Sequence, residues 1–144
     1  MWSDTFLSLE RAHFYRIVVW GAACVVVGTA LLALAVARRQ RVPLVRHFAL
    51  QTAGWGAVDV ALALLALRQL RLPDYAAATR FDRFVWWSLG IDLGGVAVGA
   101  TLALAGWLLG RRLGAVGAGL GVAIQGLALV AIDLVVIGQI GASV

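Results

Sequence analysis

The sequence predicts an all-α integral membrane protein: a bundle of four transmembrane helices forming a single domain over residues 1–144. Three observations predict it. Hydrophobic residues make up 62% of the chain and charged residues 13%, with a mean hydropathy of +0.95, whereas a soluble domain is about half apolar and about a quarter charged. Four stretches reach the length of about 20 apolar residues that crosses a bilayer. The arginines fall at the edges of these stretches, where basic residues set membrane orientation. The same composition excludes a disordered chain, which requires low hydrophobicity and high charge. The net charge of +5 comes from 12 arginines and no lysine. It does not describe a basic face on a soluble fold, so the sequence predicts no nucleic-acid partner. A single cysteine excludes an intramolecular disulfide, a CxxC redox pair and a thiolate zinc site.

The first span covers 17–37 and holds no ionisable side chain except Cys24. Residues 6–15 before it predict a short interfacial helix. Asp4, Glu10, Arg11 and Arg16, with no apolar core between them, predict no cleavable signal peptide. The second span covers 48–67 and carries Gln51 and Asp59; the third covers 84–109 and carries Asp92. The fourth covers 113–137 and carries Gln125 and Asp133. Pro43 and Pro73 fall between spans, where a missing N–H costs a helix nothing. Trp2, Trp86, Trp87 and Trp107 lie near span ends, as an aromatic belt requires.

Four spans put both termini on one side. The face of the first and third loops holds Arg38, Arg39, Arg41, Arg46, Arg111 and Arg112. The opposite face holds Arg11, Arg16, Arg68, Arg71, Arg80 and Arg83, together with Asp4, Glu10, Asp74 and Asp82. The positive-inside rule counts basic residues alone, and by that count the faces tie. The dense cluster from Arg38 to Arg46 favours a cytoplasmic first loop and outward termini.

The halves of the chain resemble each other. Val25-Val26-Val27-Gly28 parallels Val96-Ala97-Val98-Gly99, each run ends in an arginine pair, and each following span carries Gln-x7-Asp. Duplication of a two-helix hairpin would relate the halves about an axis along the membrane normal; chance self-matching in an Ala-, Val-, Leu- and Gly-rich chain is the alternative. GxxxG pairs at Gly90/Gly94, Gly95/Gly99, Gly106/Gly110 and Gly117/Gly121 let helix backbones approach in lipid, where hydrophobicity does not drive association. They serve either packing within the chain or a glycine-rich face for a homodimer or a larger membrane complex.

The polar residues inside the spans carry the functional signal. A charge at mid-membrane costs about 2.5–3.5 kcal/mol on insertion scales, so it is rare without a use. At 1.5 Å per residue, Asp59, Asp92 and Asp133 lie about 9–14 Å below the face of the termini. Gln51 and Gln125 form a neutral layer beyond them, and Trp55 stands one turn before Asp59. No Lys, Arg or His lies in the middle of a span, so carboxylates this close would share protons or bind a mobile cation. The alternative is that each Asp hydrogen-bonds a neighbouring helix and glues the bundle. His13 and His47 fall outside the spans, which predicts no metal site. Trp20 and Cys24 are expected in packing, and no nucleophile elbow, P-loop or dinucleotide fingerprint is present.

The strings QTAGWGAVD (51–59), GIDLGGVAVG (90–99) and IQGLALVAID (124–133) resemble an uncharacterised bacterial family of small four-span membrane proteins. The resemblance covers about residues 47–137. It implies that the polar positions belong together and brings no activity and no cofactor. Small multidrug-resistance exporters also have four spans but rest on a glutamate in the first, which is missing here. The sequence therefore predicts a multi-pass protein of the bacterial inner membrane whose Asp59, Asp92, Asp133, Gln51, Gln125 and Trp55 bind or translocate a proton, a cation or a small cationic or polar ligand. Two rivals stand beside it: a non-catalytic subunit or assembly factor of a larger membrane complex, and an intramembrane enzyme acting on a lipid or isoprenoid.

Overall fold

The computed structural model describes residues 2–38 and 42–142, with the backbone alone at Trp2. Arg39 and Arg41 of the basic loop and the Trp2 side chain of the aromatic belt lie outside the described residues. The rest folds as four α-helices with no strand among the described residues. These are α1 (Trp2–Ala37), α2 (Pro43–Gln69), α3 (Tyr75–Leu108) and α4 (Leu113–Ala142). All four are long and apolar enough to cross a membrane.

The helices outrun the apolar stretches that predict them. α1 has no break between 6–15 and the first span, so the expected separate interfacial helix is the first part of one 36-residue helix. α3 starts at Tyr75, well before the apolar run, because Asp74 caps it by accepting a hydrogen bond from the Ala77 amide at 2.7 Å. These extra turns are held by packing. Phe6, Phe14, Ala63, Ala78, Phe81, Val85 and Val136, drawn from all four helices, form the buried apolar core at the end carrying the termini. Phe81 meets Phe6 and Phe14 edge-to-face at 5.9 and 6.0 Å. Hydropathy marks where a chain crosses lipid; helix ends follow caps and contacts.

Toward the end carrying the first and third loops small residues replace large ones. α1 and α2 form an antiparallel hairpin that closes where a Cβ on Gly21 would stand 2.6 Å from the Gly56 carbonyl oxygen. α3 and α4 form a second, which closes at Gly99 and Gly119. The hairpins join through α2 and α4, which run parallel: Gly117 rests on the Leu44 carbonyl and Gly121 on Gln51. α4 is central, packing against the other three helices, whereas α2 and α3 do not pack along their length. Between α3 and α4 the chain reverses through left-handed Gly110 (φ 94°) and Arg111 (φ 53°), and the Arg111 guanidinium lies 5.1 Å from the Trp107 ring. The outer surface carries many large apolar side chains, the inside-out distribution that suits lipid.

Candidate functional site

The gap between α2 and α3 is a cleft of about 860 Å³. α4 and the first part of α1 contribute the remaining walls, and the exposed lining residues all come from α2 and α3, so the cleft opens between these two. Helical periodicity places its walls: Trp55, Val58, Asp59, Leu62 and Ala66 recur at three and four residues along α2, as do Phe81, Phe84, Ser88, Ile91 and Gly95 along α3.

Five of the six residues singled out in the sequence line this cleft: Trp55, Asp59, Asp92, Gln125 and Asp133. Gln51 is the exception and does not line it. It is half-buried against Gly121 where α2 and α4 pack, because those helices touch at that level and part only further on. The two glutamines of the Gln-x7-Asp pattern thus stand in different surroundings.

Gln125 organises the inner wall. Its Oε1 accepts from Trp20 Nε1 at 3.1 Å and from Cys24 Sγ at 3.6 Å. An N–H donor on that side fixes the amide orientation, so Nε2 turns to the opposite side and donates to Asp59 Oδ2. Asp59 is buried at the α1–α2 contact and meets an oriented donor. On the other wall, Asp92 and Asp133 line the cleft together with Ser88, one turn before Asp92.

His13, expected outside the spans, is 1% exposed within the bundle. The continuous α1 carries it to Asp133, with Nε2 3.7 Å from Oδ1, while its ring packs against Phe14 and Phe81. His13 Nδ1 and Asp133 Oδ2 are buried without a hydrogen-bond partner, so this end of the cluster has unused polar capacity. Arg16 turns away and donates to Gln139 Oε1 at 3.2 Å. The expectation that no Lys, Arg or His stands within the bundle beside the acids is corrected by His13. The sequence missed His13 because it was judged by hydropathy; Phe6, Glu10, His13, Phe14 and Ile17 repeat with helical spacing straight into the first span, and that signal would have found it. Among the described residues no group of three His, Cys, Asp or Glu side chains could hold a metal ion.

A bundle of four membrane-spanning-length helices with an acid-lined cleft is the class that fold and site define. Within it, the chain belongs to the family of unknown function DUF6992, whose family model matches residues 16–134. That range holds every cleft-lining carboxylate of α2, α3 and α4 and leaves His13 just outside. No curated protein and no solved structure matches the chain.

Proposed function

We propose that the bundle binds, or moves across the membrane, a proton or a cation at the acidic wall of its cleft. One observation carries this reading: Asp59, Asp92 and Asp133, from three helices far apart in sequence, line one cleft, with His13 beside Asp133. Acids that served only as glue would each be expected at a separate helix interface with its own partner. Here Asp92 and Asp133, from different helices, line the same cleft, and one Asp133 oxygen is buried without a hydrogen-bond partner. A site in the inner membrane of a bacterium is part of the same reading, supported by the resemblance of the three polar strings.

The titratable and charged groups lining the cleft are Glu10 and His13 from α1, Asp59 from α2, Arg80 and Asp92 from α3 and Asp133 from α4. A proton and a cation compete for the same carboxylates, so cation binding strengthens as pH rises and releases protons. The test is equilibrium dialysis of labelled ethylammonium against the full chain in lipid nanodiscs, with proton release read in parallel. Replacing Asp59, Asp92 or Asp133 by Asn weakens binding by at least about tenfold, equivalent to about 1.4 kcal/mol. Binding that is absent at every pH, or indifferent to all three substitutions, overturns the proposal.

A further inference from the structure

The cleft has two unlike parts, and their arrangement narrows the ligand; the step rests on the cation-binding reading above. Its back is acidic and buried, with Asp59 8% and Asp133 2% exposed. Its rim is made of large apolar side chains that face outward, Trp55 and Leu62 on α2, Phe84 and Ile91 on α3. Between Gln69 and Trp55 the cleft runs about 21 Å along α2, which takes in a whole leaflet of a hydrocarbon core about 30 Å thick. A proton or a bare inorganic ion has no use for such an apolar slot or for a cleft of about 860 Å³, a volume typical of pockets that enclose organic ligands of drug size.

Gly95 adds a further observation. It lies on the α3 wall of the cleft, and a Cβ there would meet nothing within 4 Å. The glycines at helix crossings, by contrast, are forced by backbone contact: Gly99 would meet the Ala123 amide nitrogen at 2.5 Å. The space beside Gly95 is therefore left to the cleft and is not taken by a neighbouring helix.

We infer that the ligand is a single-chain amphiphile bearing a protonated amine, which enters sideways from the bilayer between α2 and α3. Its ammonium group sits among Asp59, Asp92 and Asp133, in a lining where these acids and Glu10 outnumber Arg80 and His13 and a further positive charge is the missing complement. Its hydrocarbon chain lies along the slot past Gly95, against Trp55 and Ile91.

The probe is a dodecylamine carrying a photoreactive diazirine near the end of its chain, offered to the full chain in nanodiscs; the dodecanol analogue is the neutral control. The amine labels Trp55, Leu62, Phe84 or Ile91, and the alcohol does not. Gly95→Leu, whose Cβ meets nothing within 4 Å, fills the slot and lowers amine labelling by about tenfold, while ethylammonium binding persists. Gly94→Leu, on the same helix but off the cleft and with its Cβ equally unobstructed, leaves labelling unchanged. Ethylammonium binding that depends on the acids, with no amine labelling of the rim or with equal labelling by the alcohol, overturns this inference and leaves the cation site standing. Equal loss in Gly94→Leu and Gly95→Leu overturns the placement of the chain in the slot. Failure of ethylammonium to bind removes the cation site and this inference with it.

Discussion

Gln125 is one side chain with three partners. It accepts from Trp20 and Cys24 and donates to Asp59, across separations of 105, 101 and 66 residues in sequence. Away from water each of these groups depends on the others, because an unmade buried hydrogen bond costs more than a made one contributes. Gln125→Leu keeps the volume but leaves Asp59 and the Trp20 N–H unpaired, and it destabilises the fold by about 1–3 kcal/mol. Removing both ends of one bond is milder, so Asp59→Leu in the Gln125→Leu background costs less than the sum of the two single changes. Thermal unfolding of the four proteins of this cycle in detergent measures the difference, and strict additivity would show that the two side chains do not interact. Gln125 and Asp59 were each legible in the sequence as polar residues within apolar spans. Their pairing was not, since nothing local in the chain joins positions that far apart. Trp20 and Cys24 look like packing residues by type, and only the fold shows that both turn a polar atom toward Gln125.

At the level of the helices, the sequence identifies four spans and many glycines but cannot say which glycines lie under a neighbour. Gly119 does: a Cβ there would stand 2.4 Å from the Ala103 amide nitrogen and 2.5 Å from the Gly99 carbonyl oxygen. Backbone cannot yield as a flexible side chain can, so Gly119→Ala forces α3 and α4 apart and costs about 1–3 kcal/mol, the usual penalty for overpacking. Gly90 sits on the same hairpin with nothing within 4 Å. Gly90→Ala therefore leaves stability unchanged or raises it by up to about 1 kcal/mol through helix propensity alone. Opposite shifts in melting temperature are the expected result, and equal losses would mean that Gly90 is covered in the membrane by something outside this chain. Both glycines belong to the same compositional pattern, and the distinction lies in the azimuth each occupies on its helix. The helix ends were equally hidden, because Phe6 and Phe81 hold turns that hydropathy leaves out.

Across the whole molecule the arginines govern orientation, and their distribution makes it finely balanced. The end carrying the termini has six arginines, Arg11, Arg16, Arg68, Arg71, Arg80 and Arg83, and the opposite end has six; arginines near span ends, and not acids, set the outcome. The four around the first loop, Arg38, Arg39, Arg41 and Arg46, are the densest group, so the positive-inside rule predicts that loop in the cytoplasm and the termini outside. With that orientation the cleft is expected to open in the outer leaflet, since its acids lie on the termini side of the bundle. A tie decided by local density is easily reversed. Replacing Arg38 and Arg39 by Ala leaves four basic residues against six, and the termini then turn inward in a large fraction of molecules. Cys24 is buried, so a Cys24→Ala background removes the one competing thiol. A cysteine placed at Ser3 reacts with an impermeant maleimide from outside in that background, and the reaction is lost once Arg38 and Arg39 are replaced. Protection of Ser3→Cys in the background itself would put the termini, and the mouth of the cleft, in the inner leaflet.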